Sequence, residues 1–243
     1  MKRQIIVVMA VGLTIAACSN DRRRATSSDD APKPSAWVQP PHIDGLRRDG
    51  GAILVRGAAG PGARVVLRGA DGAAVAATAD AAGRFELRLP PLDGDVLLRP
   101  EVQVGEDAAV SPETLVVIRG GAGPVALVAA GQPTVRLDAH GVLDAVDFDG
   151  KALAASGHAP NGPPTVSIDG AKARVSSVGG EQWRALSADS GTQNVDVGGR
   201  VFTLPDMGGG ASFSVERAGA GWKLTLPIAP QGRQTTWLPD IQP

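Results

Sequence analysis

Arg84-Phe85-Glu86-Leu87-Arg88-Leu89 alternates charged and apolar residues without a break. A side-chain period of two puts Phe85, Leu87 and Leu89 on one face of an extended strand and Arg84, Glu86 and Arg88 on the other. The pattern demands a strand with one buried face. Just before it, Asp80-Ala81-Ala82-Gly83 has Asp at the first and Gly at the fourth position of a type I turn. Upstream, Ile53-Leu54-Val55 ends at Gly57, Gly60-Pro61-Gly62 turns, and Val65 and Leu67 share one face of Arg64 to Arg68. Further strands fit Val96 to Val104 and Thr114 to Ile118. From Pro41 to Ile118 no window of about 11 residues keeps helical spacing free of Gly or Pro and rich in Leu, Glu or Lys. The segment is read as all-β. The 32 glycines and 19 prolines of the 243 residues agree, marking many short strands joined by tight turns.

Three runs carry a family pattern. They are Ile43-Asp44-Gly45, then Val55-Arg56-Gly57-Ala58-Ala59-Gly60-Pro61-Gly62-Ala63-Arg64-Val65-Val66-Leu67, then Ala79-Asp80-Ala81-Ala82-Gly83-Arg84-Phe85. Together they resemble bacterial Ig-like repeats, in which a G-x-A-x-P-G-x-x-V-x-L core precedes a D-x-x-G-x-aromatic turn. In this chain the first motif's proline falls at Pro61, after Gly60. The resemblance implies a seven-stranded sandwich and no shared catalytic site.

Val125 to Leu204 echoes the first half. Gly57, Ala59 and Gly62 match Gly157, Ala159 and Gly162; Val65, Leu67 and Gly69 match Val166, Ile168 and Gly170; Phe85 matches Trp183. Gly198-Gly199 between Asn194–Val197 and Arg200–Thr203 suits a two-residue hairpin turn. The expected fold is all-β, two tandem Ig-like antiparallel β-sandwiches. The first covers 41–118, 119–124 is a Gly-rich joint, the second covers 125–228 with a C-terminal hairpin through Trp222, and 229–243 is an extended tail.

The N-terminus sets an address. Lys2 and Arg3 precede an apolar stretch from Ile5 to Ala17, a secretory-signal pattern that falls short of the roughly 20 residues of a membrane-spanning helix. Leu13-Thr14-Ile15-Ala16-Ala17-Cys18-Ser19 resembles the lipobox of bacterial lipoproteins. The resemblance implies cleavage between Ala17 and Cys18, a diacylglyceryl group on the Cys18 sulfur and an acylated amine. Residues 1–17 are then a signal peptide, and 18–40 an acylated cysteine with a disordered linker. Ser19 in place of Asp favours the outer membrane under the lipoprotein sorting rule. Cys18 is the only cysteine, so no intramolecular disulfide competes for it.

Chemistry is thin. Removing Lys2 and Arg3 leaves 22 basic against 25 acidic residues, with no basic excess for nucleic acid. The histidines are His42, His140 and His158, and no G-x-S-x-G elbow accompanies them. Ser156 stands near His158, and the residue matched to His158 is Ala58, so the fold does not need an imidazole there. No C-x-x-C, H-x-x-x-H or H-E-x-x-H occurs. Asp144, Asp147, Asp149 and Gly150 approach a calcium loop, but Ala145 and Ser156 stand where it needs oxygen ligands, and a turn with solvated carboxylates is expected. Trp37 and Trp237 are the tryptophans placed for stacking on a glycan; Phe85, Phe202, Phe213, Trp183 and Trp222 read as core.

The expectation is a non-enzymatic envelope protein, held to the membrane by acyl chains on Cys18 and displaying Ig-like domains to an envelope protein partner. No catalytic, cofactor or metal residue and no small-molecule substrate is assigned. The alternatives are a glycan- or peptidoglycan-binding module using Trp37 or Trp237, and a hydrolase centred on His158.

Overall fold

The structure is a computed structural model that describes residues 38–105, 107–188, 191–228 and 232–241. Ala17, Cys18, Trp37, the signal and almost all of the linker lie outside the described residues. Every regular element within them is a strand, apart from one turn of 3-10 helix at Arg119–Gly121.

The first ten strands are β1 (His42–Asp49), β2 (Ala52–Ala58), β3 (Arg64–Gly69), β4 (Ala74–Thr78), β5 (Arg84–Leu89), β6 (Val96–Val104), β7 (Asp107–Val110), β8 (Glu113–Val117), β9 (Val125–Ala129) and β10 (Val135–Arg136). One sheet runs β1-β2-β5; the facing sheet runs β10-β9-β8-β6-β3-β4, with β7 paired to β6. The alternation read in the sequence at β5 is realised: Phe85, Leu87 and Leu89 are buried while Arg84, Glu86 and Arg88 are exposed. They meet Val65, Leu67, Leu115 and Val117 in the first core.

The remaining strands are β11 (Ala145–Phe148), β12 (Leu153–His158), β13 (Val166–Ile168), β14 (Ala171–Lys172), β15 (Arg174–Gly179), β16 (Gln182–Ser187), β17 (Asn194–Val197), β18 (Arg200–Thr203), β19 (Ser214–Arg217), β20 (Gly221–Ile228) and β21 (Gly232–Pro239). They form sheets ordered β15-β16-β12-β11-β21-β20-β19 and β14-β13-β17-β18 around a second core that includes Val146, Trp183, Val195 and Trp237.

Both halves use the Ig strand plan. In the first, β1-β2-β5 stand as A-B-E and β3-β6-β8 as C-F-G; in the second, β11-β12-β16-β15 stand as A-B-E-D and β13-β17-β18 as C-F-G. The duplication holds residue by residue. Gly57 faces Phe85 across β2 and β5, and Gly157 faces Trp183 across β12 and β16. A Cβ on Gly57 would lie 2.1 Å from the His42 carbonyl oxygen, and one on Gly157 would lie 2.3 Å from that of Val142. Each glycine lets the chain at the start of the A strand, or just before it, pass close over the B strand.

Two expectations need correction. Residues 119–124 do not join two domains: β8 and β9 pair antiparallel, and 119–124 is the turn of their hairpin, with Gly120 and Gly121 at φ of 60° and 93°. The strands it joins are buried on both faces. Leu115, Val117, Val125 and Leu127 enter the first core, whereas Val116, Ile118, Ala126 and Val128 enter a third core with Ala145, Leu224, Leu226 and Leu238. The sandwiches are thus laminated, and Val38–Pro243 form one unit. Nor is 229–243 a surface tail. Its described part contains β21, an inner strand held between β11 and β20 with Trp237 and Leu238 buried. The C-terminal hairpin β19-β20 continues that sheet beyond the A strand and covers the outer face of the first sandwich.

Candidate functional site

Where the sandwiches meet, the turn after β9 and the start of β8 face β12, β15 and β16 across a cavity of about 350 Å3. Glu113, Thr134, Asp144, His158, Gln182 and Trp183 contribute to its wall. Two polar atoms of its lining residues, Glu113 Oε2 and Trp183 Nε1, are buried with no hydrogen-bond partner among the described residues. Buried polar atoms are nearly always bonded, so these two stand out among the described residues. Glu113 Oε1 takes an ion pair from His42 Nδ1 at 3.2 Å.

Asp144 sits on the bulge that opens β11. Its backbone N–H donates to the Ser156 carbonyl at 2.8 Å, ahead of the regular pairing of Ala145 with Ser156. The side chain is thereby turned inward and is 3% exposed as a residue. Asp144 Oδ1 accepts from the Gly141 N–H at 2.6 Å, while Oδ2 meets His158 Nδ1 in a short contact and lies 3.5 Å from His140 Nδ1. The His140 and His158 rings stand 3.9 Å apart between centroids. One ligand atom from each of His140, Asp144 and His158 lies within 4.8 Å of the other two.

The carboxylates expected to share one solvated turn have separate environments. Only Asp149 behaves so, accepting from the Lys151 and Ala152 N–H groups, which hold its pKa below the usual value. Asp147 is buried in a network with Thr134, Gln234 and Thr236; desolvation pushes its pKa up, against the hydrogen bonds it accepts. Asp144 serves the histidines.

Of the other residues singled out in the sequence, Trp237 is buried in the second core at 1% exposure and donates its indole N–H to the Ala218 carbonyl at 2.9 Å. It offers no stacking face, and the glycan reading loses that residue. Phe85 and Trp183 are core; Phe202, Phe213 and Trp222 are partly buried against the cores. His158 is partly buried and meets Asp144, so it is neither solvated nor solitary. Ser156, however, gives its hydroxyl to the Thr134 carbonyl at 3.4 Å. Sequence reasoning singled out His158 but missed its union with His140 and Asp144. The available signal was the repeat, where Pro40 and Ala58 stand one hundred residues before His140 and His158.

No family model matches the chain, and no curated protein matches it.

Proposed function

We propose that the chain is a lipid-anchored protein of the bacterial envelope, probing for a protein partner with a laminated pair of Ig-like sandwiches. The anchoring rests on the run Leu13 to Ser19, whose sole cysteine has no other use in the sequence. The binding reading is carried by one observation, the free edge at β15. Among the described residues β15 pairs only with β16, leaving the outer row of backbone groups on Arg174–Gly179 open to an added strand. Val178 and Leu186 beside it are 52% and 57% exposed, giving a partner strand apolar side chains to cover.

Two measurements test the parts separately. Detergent phase partition of the wild type and Cys18→Ala reads the anchor: the wild type is expected in the detergent phase and the variant in the aqueous phase, and equal aqueous partition overturns anchoring. Crosslinking in intact cells reads the partner. Crosslinks should map to β15 and β16 and vanish in Val178→Lys with Leu186→Lys; a partner retained by that variant overturns the edge assignment.

A hydrolase centred on His158 is a second reading, favoured only by the Asp144 contact at the cavity wall. The orientation of the Ser156 hydroxyl away from His158 weighs against it.

A further inference from the structure

We infer that His140, Asp144 and His158 form a binding site for a single divalent transition-metal ion of the zinc class, with a coordination position open toward the cavity. The donor set is two imidazoles and one carboxylate, a combination that suits zinc and related ions and excludes calcium or magnesium sites, which are built from oxygen. The three ligand atoms already lie within 4.8 Å of one another. They come from separate elements: His140 from the loop before β11, Asp144 from the bulge at its start, and His158 from the end of β12.

The duplicated half argues that the cluster is not there for the fold. Gly57 and Gly157 occupy one place in the two sandwiches, each against a backbone carbonyl, His42's at the start of β1 and Val142's just before β11. In that register Pro40 and Ala58 stand where the second half has His140 and His158, and Asp44, matched to Asp144, is exposed. The same sandwich therefore forms without either imidazole and without burying the carboxylate.

Asp144 also resembles a prepared ligand more than a partner in a plain ion pair. One oxygen is fixed by the Gly141 N–H, which orients the other toward both rings. A held carboxylate and a hydrogen-bonded support for it are usual around metal ligands. An ion pair needs one imidazole, whereas two rings 3.9 Å apart converge on this oxygen. Bound metal in place of ring protons lets both histidines approach as neutral donors. Three protein ligands leave a fourth position for water or an exchangeable group. Asp144 and His158 line the cavity, so a fourth ligand could reach the ion from that side.

The test uses the full acylated chain in detergent, stripped of metal and titrated with zinc by calorimetry, with cobalt absorption as a second readout. One ion per chain is expected, with a cobalt spectrum of low coordination number and a rise in melting midpoint on adding zinc. His158→Ala and His140→Ala should each lose saturable binding and the zinc-induced rise, while melting like the wild type without metal. His140 is half exposed, so its variant keeps the test valid even if His158→Ala disturbs the strand. Absence of saturable binding in the wild type, or binding retained in His140→Ala, overturns the site.

Discussion

Thr134 donates its backbone N–H and its hydroxyl to the two carboxylate oxygens of Asp147, at 2.7 and 2.6 Å. Thr134 stands just before β10, in the first half, and Asp147 lies on β11, in the second. The pair fastens the two sandwiches where the apolar third core gives way to polar residues. Thr236 and Gln234, both from β21, donate to the same Asp147 oxygen at 2.6 and 2.9 Å. Four donors thus satisfy a carboxylate that could not otherwise be buried.

Thr134→Val keeps the shape and the backbone donor but removes the hydroxyl. Asp147 retains three donors, so the loss should be that of one buried hydrogen bond, about 0.5–3 kcal/mol. Urea unfolding at neutral pH measures it, and an unchanged midpoint would show that the network contributes nothing.

The same carboxyl sets a pH dependence of distinctive sign. Burial raises the folded pKa of Asp147 above its unfolded value of about 3.9. Between those two values the folded state holds the proton more tightly than the unfolded chain, so stability falls as pH rises. The contribution is full below about 3.9 and is lost as pH climbs through the folded value. Asp149 and Asp240 act oppositely. Backbone N–H groups lower the pKa of the first and Arg217 lowers that of the second, so their contributions are present above the unfolded value and fade as pH falls. Comparing unfolding free energies of the wild type and Asp147→Asn over a pH series isolates the first effect. The difference between them should shift against the wild type as pH rises, then level off; a difference independent of pH would refute the assignment.

Gly57→Ala and Gly157→Ala should damage equivalent places in the two halves. The new methyl meets the His42 carbonyl oxygen at 2.1 Å and the Phe85 ring at 2.5 Å in one case, and the Val142 carbonyl oxygen at 2.3 Å in the other. Backbone oxygens, His42's in paired β1 and Val142's just before β11, cannot step aside as the end of a flexible side chain can, so each variant should lose about 1–3 kcal/mol or more. Gly45→Ala, where a Cβ would meet nothing within 4 Å, is the control and should stay within about 0.5 kcal/mol.

The strands with one solvated face were legible because alternation reports burial directly, as at Arg84 to Leu89. The lamination of the sandwiches left a different mark. Leu115 to Ile118 and Val125 to Val128 are unbroken apolar runs, the signature of strands covered on both faces. Read only as strand ends beside a glycine-rich joint, they concealed the third core. The candidate site was half legible. The repeat exposed His158 as an unneeded imidazole, but nothing in a linear pattern brings His140 and Asp144 onto the same point; the bulge at the start of β11 does that.

The C-terminal strand was the least legible, since Gln234, Thr235 and Thr236 are polar and prolines flank them. Their burial is made tolerable by Asp147, which accepts from both Gln234 and Thr236, and by the ladders β21 shares with β11 and β20. The inner position of β21 yields the sharpest test of the fold. Trp237→Ala should empty a fully enclosed space in the second core, lowering stability by about 3–5 kcal/mol. Ending the chain at Ile228 should do more, because it exposes facing edges on β11 and β20 and uncovers Val116 and Val128 of the first sandwich. Fluorescence of the remaining tryptophans and amide exchange in β11, β12 and β20 would follow the loss. If the shortened chain kept native protection there, residues 232–239 would be a dispensable surface segment after all, and the laminated architecture would fall with them.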